Sequence, residues 1–508
     1  MGNATVGTQF VSPQVSFTIT DGGVDFIVGD NFVITLTEVS PAATPYYAIP
    51  WSTATADYWV WTSNTAAYRW DGTQHEVVTR TSGGAYTATE AVQWTGCVSG
   101  DVVILNNSVD LPQYMGTSGT DFENFPTGGS DWPSALRCKS IRSYKNYLVA
   151  INLTEGASSR PQNVRWSTAA DPGSLPMWDI TDPTLEAGES ALAESDGAVV
   201  DGLSLGDSFI IYKEDSVYGM QLVGGQFVMN FYSIFPDDGI MSQNCVAAFQ
   251  GQHFVVSPSD VYVHNGSTKK SVVSGTVREA LFNDINMDYS NRAFCVADPR
   301  HREVLFCYVP TSSTVTLPTR AFVWNWENGA VSVRDLPTTA YCSFGKITRS
   351  STASVWDSDS GLWDSDFATW SDASNSTPVG RLVILDTANS KFYAEGDYDT
   401  DDGTNFSSYV QRTGIEAGDG SVIKYVSRIY PKAAGTGSLY FYVGASDSPN
   451  GTYAWEGPYT YTIGTSRKID CRVSGRYLGI IAGSTTGGLW QLSSYIIEGE
   501  GVGDGRSA

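Results

Sequence analysis

Residue types able to do chemistry are sparse in this chain. One stretch, Gly202-Leu203-Ser204-Leu205-Gly206, fits the G-x-S-x-G nucleophile pattern. That pattern works when the serine sits on a turn between a strand and a following helix, whereas Ser204 precedes the apolar run Phe209 to Tyr212. A coincidental match is expected. The four histidines (His75, His253, His264, His301) are scattered, with no Cys, Asp or His at ligand spacing. Arg300 and Arg302 flank His301, which favours a neutral imidazole in a solvated loop. No zinc site, acid–base pair or catalytic residue is expected, and no cofactor.

Acidic clusters are the remaining ion candidates. Asp357, Asp359, Asp364 and Asp366 surround Gly361, and Asp397, Asp399, Asp401 and Asp402 precede Gly403. Oxygen-rich loops turned by glycine resemble calcium sites, but neither cluster has the EF-hand spacing, and in the second no Glu follows five residues beyond the glycine. Solvated loops are the favoured reading, with structural calcium as the alternative. In the same segment Trp356, Trp363 and Trp370 recur every seven residues. On one continuous strand an odd interval would alternate their faces; a turn at Ser360-Gly361 would stack them instead. Such a row could stack sugars, but a small loop core or a docking surface for another subunit fits better. The DSDSGLW stretch lacks the leading Ser/Thr and the spacing of the Asp-box of sialidase-type propellers, and that box is a turn motif rather than a catalytic one.

The elements that must carry these residues read as β-structure. GDSFIIYKEDSVYGM (206 to 220) is an apolar strand, a polar turn and a second strand, and the frame recurs. Copies start at residues 57, 100, 145, 206, 251, 303 and 380, separated by 43, 45, 61, 45, 52 and 77 residues. A recurring interval in the forties with strand chemistry predicts propeller blades, six or seven of them. Asp71-Gly72, Asp238-Gly239, Asn265-Gly266 and Asn328-Gly329 are expected as hairpin turns. Longer excursions at 112–134, 154–198 and 345–377 are expected as rim loops where partners bind. Residues 1–45 hold two strand-like runs that either close the ring or join the second domain. After the propeller (46–395), residues 404–500 alternate apolar and polar positions as a β-sandwich does, and 501–508 form a disordered tail. The fold class is therefore all-β: a propeller followed by a C-terminal β-sandwich.

Composition removes several function classes. With 54 acidic against 30 basic residues the net charge is −24, and no basic run exists to neutralise phosphates. Seven cysteines form no CxxC pair and sit in apolar runs such as AFCVA and LFCYV, as small buried hydrophobes do. No apolar run reaches 18 residues, and the N-terminus lacks a basic and an apolar region, so neither a membrane span nor a signal sequence is expected.

Four patches, taken in order, resemble one family: PQNVRWSTAADPGSLPMW (161–178), GDSFIIYKEDSVYGMQLVGG (206–225), VYVHNG (261–266) and SGRYLGIIAGSTTGGLWQLSSYIIEGEG (474–501). Together they are similar to the tail nozzle or hub proteins of short-tailed bacteriophages, of the tubular tail protein B and packaged-DNA stabilisation type. The resemblance spans about residues 46 to 501. It implies a structural protein rather than an enzyme, in the virion tail after assembly in the host bacterial cytoplasm. Its implied partners are five further copies in a homo-hexameric ring, the adaptor protein of the head-to-tail connector, tail fibres or spikes, and genomic DNA that passes without specific binding. Carboxylates lining such a lumen would repel phosphate over a Debye length of about 8 Å. A glycan- or protein-binding propeller module is the alternative, and a propeller glycoside hydrolase a more distant one.

Overall fold

A computed structural model describes residues 9–11, 16–18, 41, 43–54, 56–72, 74–224, 228–347, 380–396 and 400–503. The chain divides into two units, Met1–Ala394 and Glu395–Ala508.

The first unit is a seven-bladed propeller. Its blades span Tyr47 to Val77, Thr95 to Asn124, Leu136 to Ala191, Val199 to Phe235, Val246 to Ser271, Phe294 to Asp335 and Thr339 to Ala394. Each is an antiparallel meander in sequence order, with four strands in blades 1 to 6 and three described in blade 7. The seven repeat starts all fall at the second strand of a blade, where the turn from the first strand ends. Five of those turns use left-handed backbone, supplied by glycine at Gly100, Gly206 and Gly251 and by Lys145 and Arg302 elsewhere. The first strands contact one another in sequence around the ring, and Thr339–Lys346 of blade 7 meets Tyr47–Ser52 of blade 1. They therefore line the axis. No strand is shared between the ends of the ring among the described residues; Gln9–Val11 and Ser16–Thr18 pair with each other.

Second strands such as Val102–Asn106 and Ser208–Lys213 are buried on both faces, which explains their unbroken apolar runs. Hydrophobic clusters sit between neighbouring blades: Val149, Ile151 and Val164 of blade 3 pack on Phe209, Ile211 and Met220 of blade 4. Asp71-Gly72, Asn265-Gly266 and Asn328-Gly329 join third to fourth strands as hairpin turns with positive φ at glycine. Asp238-Gly239 departs from expectation. It lies on the connection from blade 4 to blade 5, where a Cβ on Gly239 would come 2.0 Å from the Glu214 carbonyl oxygen; close approach, not a hairpin, demands glycine there.

The excursions also resolve differently from a simple loop picture. Within 112–134, Gln113–Met115 and Glu123–Asn124 are the outer strands of blade 2, and Phe122, Phe125 and Trp132 are buried. Within 154–198, Ser158–Trp166 and Gly188–Ala191 are blade 3 strands, leaving 167–187 as the loop. Residues 348–377 of the third excursion lie outside the described residues. One α-helix, Gly275–Asp284, interrupts the connection from blade 5 to blade 6; Tyr308 Oη donates to Asp284 Oδ2 at 2.7 Å and anchors its end.

The second unit is a β-sandwich of a four-stranded and a three-stranded sheet. Ile423–Gly435 pairs with the long final strand Trp490–Gly503, and Ser438–Ser446 with Tyr477–Ser484. Alternating positions Val426, Leu439, Phe441, Val443, Cys471, Val473 and Ile480 fill the space between the sheets.

Candidate functional site

Trp356, Trp363, Trp370, Asp357, Asp359, Asp364, Asp366, Asp397 and Asp399 lie outside the described residues. Asp401 is exposed in a tight turn, its N–H and carbonyl both paired with Thr404 at 2.8 Å, and Gly403 takes a positive φ. Among the described residues it joins no cluster of three metal-ligating side chains. Ser204 lies inside the first strand of blade 4, Val199–Leu205, and its Oγ donates to the Ser143 carbonyl at 3.0 Å. It is not on a nucleophile turn.

Three arrangements emerge that no local motif marks. The first closes the propeller axis. Arg142, from the first strand of blade 3, donates from Nη2 to Asp201 Oδ2 of blade 4 and to Asn244 Oδ1 on the approach to blade 5, both at 2.7 Å. Asp201 also accepts from Ser140 Oγ and the Asn244 and Gly202 N–H groups. Asn244 Nδ2 donates to Gln93 Oε1, and Gln93 Nε2 reaches the Ala293 carbonyl at 3.3 Å, on the approaches to blades 2 and 6. Asp201 is fully buried. Burial pushes its carboxyl up, but the Arg142 guanidinium and the donated N–H groups outweigh burial and hold it below the ordinary range. Burial opposes the Arg142 charge in the same way, and Asp201 keeps it protonated. On the same end of the barrel Arg292 pairs with Glu90 at 3.4 Å, linking two connections. Side chains from blades that are not neighbours meet here, so the propeller's own axis is filled at this level.

The second arrangement joins blades 4 and 5. Tyr212 Oη lies 2.7 Å from His253 Nδ1 and 2.7 Å from His264 Nε2, all three side chains buried. Neighbours fix the tautomers. Gly266 N–H donates to His264 Nδ1 at 3.1 Å, so His264 carries its proton on Nε2 and donates to Tyr212. His253 Nε2 donates to the Ser204 carbonyl at 3.0 Å, leaving Nδ1 to accept the tyrosine proton. Burial lowers His253 to about 4 and His264 to about 3. Sequence reasoning missed this pair because hairpin register, not local spacing, makes it: Val256 opposes Val261 and therefore His253 opposes His264. On the opposite face of the same strand, the buried Lys213 ammonium donates to the Leu192 and Ser195 carbonyls, both at 2.7 Å. Burial lowers its basicity, and Asp215, Asp196, Glu194 and Glu214 push back.

The third is the rim. A meander places the turns between strands 1–2 and 3–4 at one end of each blade, and the turns between strands 2–3 with the inter-blade connections at the other. At the connection end, Glu214, Asp215, Asp237 and Asp238 line a cleft of ≈ 450 Å³ between blades 4 and 5. At the other end, the 167–187 loop, Trp166 and Phe231 border a groove of ≈ 840 Å³. Gly188 lets the Trp166 indole lie across it, since a Cβ there would come 2.3 Å from the ring. Trp166 Nε1 donates to the Glu186 carbonyl at 2.9 Å, and Arg160 pairs with Glu189. These surfaces offer carboxylates, carbonyls and aromatic edges to whatever meets the rim.

No family model matches the chain, and no curated protein does. Among solved structures it is similar to the crystal structure of the RRP9 WD40 repeats at 10% identity, covering 60% of this chain and 84% of that one, with a TM-score of 0.36. Among the described residues no helix is long and apolar enough to cross a membrane.

Proposed function

We propose that this chain is a non-enzymatic structural propeller, the tail nozzle of a short-tailed bacteriophage, acting as a homo-hexameric ring beneath the adaptor of the head-to-tail connector. The observation that carries this reading is the run of four in-order patches. Three of them fall on consecutive blades 3, 4 and 5: the third strand of blade 3 with its 167–178 loop, the central hairpin of blade 4, and Val261–His264 of blade 5. The fourth covers the last two strands of the sandwich.

The filled axis constrains how such a ring would work. Arg142, Asp201 and Gln93 leave no passage for a duplex through a single propeller at their level. DNA would run between copies, along outer surfaces of the blades, and the net charge of −24 would keep that lumen repulsive to phosphate. Seven meanders stiffened by inter-blade cores give a rigid wall with variable rim loops for adaptor and fibre contacts.

Immunogold electron microscopy of short-tailed particles from the source culture tests the assignment. Label at the tail tip is the expected result. Label absent from every particle would overturn it. A second reading, a glycan- or protein-binding propeller module, draws on the groove bordered by Trp166 and Phe231. Glycan-array binding by the purified chain, abolished by Phe231→Ala, would favour that module.

A further inference from the structure

The blade 4 to blade 5 seam contains a hydrogen-bond chain in which neither imidazole has a free acceptor nitrogen. It runs from the Gly266 N–H to His264 Nδ1, from His264 Nε2–H to Tyr212 Oη, from Tyr212 O–H to His253 Nδ1, and from His253 Nε2–H to the Ser204 carbonyl. Each imidazole has one lone pair, and each lone pair already receives a donor. A proton added to His264 Nδ1 would face the Gly266 N–H. One added to His253 Nδ1 would face Tyr212 Oη, whose own hydrogen is then left between two donors. Either event buries a charge and orphans a donor together.

Surrounding groups give a new charge little relief. Asp201 is backbone-paired with Tyr212, but its carboxylate is committed to Arg142. Lys269 is backbone-paired with His264, and its ammonium is held by Asp238. Tyr262, with its ring 5.9 Å from His264, and Phe235, edge-on at 5.4 Å, are uncharged near neutrality. Asp260 bonds to Ser271 and Arg278. Glu214, Asp215 and Asp237 border the cleft at the end of the seam. Glu214 and Asp237 are exposed, so solvent and salt screen their charges from the buried imidazoles.

We propose that this seam is an acid-operated latch, closed while both imidazoles are neutral and released between blades 4 and 5 when either one takes a proton. The sign follows from linkage. Burial lowers both imidazoles in the folded chain, while in the opened seam they return to an ordinary pKa of about 6.5. Above that value both states are neutral and the latch is fully closed. Below it the opened seam binds protons that the closed one does not, so closure weakens as pH falls. One imidazole favours opening by about tenfold per pH unit, and both together by up to about a hundredfold. The device is a property of the propeller itself and stands whether or not the virion reading does.

Hydrogen exchange of the full chain between about pH 7 and pH 4.5, corrected for intrinsic amide rates, reads it directly. Opening of Ser208–Lys213, Gln252–Val256 and Val261–His264 should stay flat above about pH 6.5 and rise at least about tenfold per pH unit well below it, while Val102–Asn106 in blade 2 stays protected. A parallel rise in both regions would overturn the latch. The His253→Gln/His264→Gln variant should lose the response, and retention of the full response would also overturn it. Should that variant fail to fold, ¹⁵N NMR of the wild-type imidazoles serves instead: both rings stay neutral to about pH 5, with the proton on Nε2. Titration of either near 6.5 in the folded chain would refute the latch.

Discussion

Two arcs of the same ring are held by different chemistry. Across blades 3 to 5, Arg142, Asp201, Asn244, Tyr212, His253 and His264 join neighbours through buried polar chains. Where blade 7 meets blade 1, the contact is mostly aromatic. Trp59 Nε1 donates to the Lys346 carbonyl at 2.8 Å, Tyr47 and Tyr341 lie 4.7 Å apart, and Trp61 stacks on Tyr68 at 4.0 Å with Phe392 against its edge at 5.3 Å. Directional bonds specify one geometry and fail if one member is lost. Rings supply area and tolerate small shifts. The seam where the last blade meets the first closes the ring and depends on packed area, and the aromatics gather there.

Deletion should expose the contrast. Arg142→Ala leaves Asp201 buried and unpaired, and Trp61→Ala empties a packed site; each should cost about 3–5 kcal/mol, read as the urea midpoint of the propeller transition. The arcs part in the rescue. Arg142→Met with Asp201→Leu should regain part of the loss, because an apolar pair removes the desolvation penalty along with the attraction, while the Ser140, Gly202 and Asn244 donors lose their acceptor. No second substitution should restore the volume lost with Trp61. Equal rescue in both arcs would erase the distinction.

Smaller effects sharpen it. Gly345 of blade 7 faces Pro50 and Trp59 of blade 1, and a Cβ would come within 2.5 Å of the Pro50 ring. Gly345→Ala should therefore cost about 1–3 kcal/mol by prising the closure apart. In the polar arc, Tyr212→Phe strands the His264 Nε2–H and frees His253 Nδ1, for about 1–2 kcal/mol in the same denaturation experiment. It should also steepen opening of blades 4 and 5 while leaving blade 1 unchanged, which exchange resolved by peptide would report.

How far these arcs were legible in the sequence follows from the range of the forces. The second strands were visible, because a buried apolar run, often after a left-handed turn, is a local pattern: GDSFIIY, GQHFVV and GDVVIL share it. The sandwich showed equally in its alternation. The irregular intervals come from what blades carry between strands, the 167–187 loop and the helix Gly275–Asp284, which has no side-chain cap and buries only Leu281. Arg142 and Asp201 are 59 residues apart and meet only because the ring closes, and the His253–His264 pair needs the register of its hairpin. Spacing rules looked for ligands at local intervals and found none. Acidic residues stood out by composition, which did not separate Asp201, buried on the axis, from Glu214 and Asp237 at a rim cleft.

All seven thiols are buried outside any disulfide, and burial raises those of Cys97 and Cys245 to about 12. They are also spread out: Cys97 in blade 2, Cys138 in blade 3, Cys245 before blade 5, Cys295 and Cys307 in blade 6, Cys342 in blade 7 and Cys471 in the sandwich. A sealed thiol reacts with a disulfide reagent only after the wall around it parts. Mass-spectrometric mapping of which cysteine is modified, and when, would thus turn the untouched wild-type chain into its own multi-channel clock, timing the breathing of five blades and the second unit in one tube.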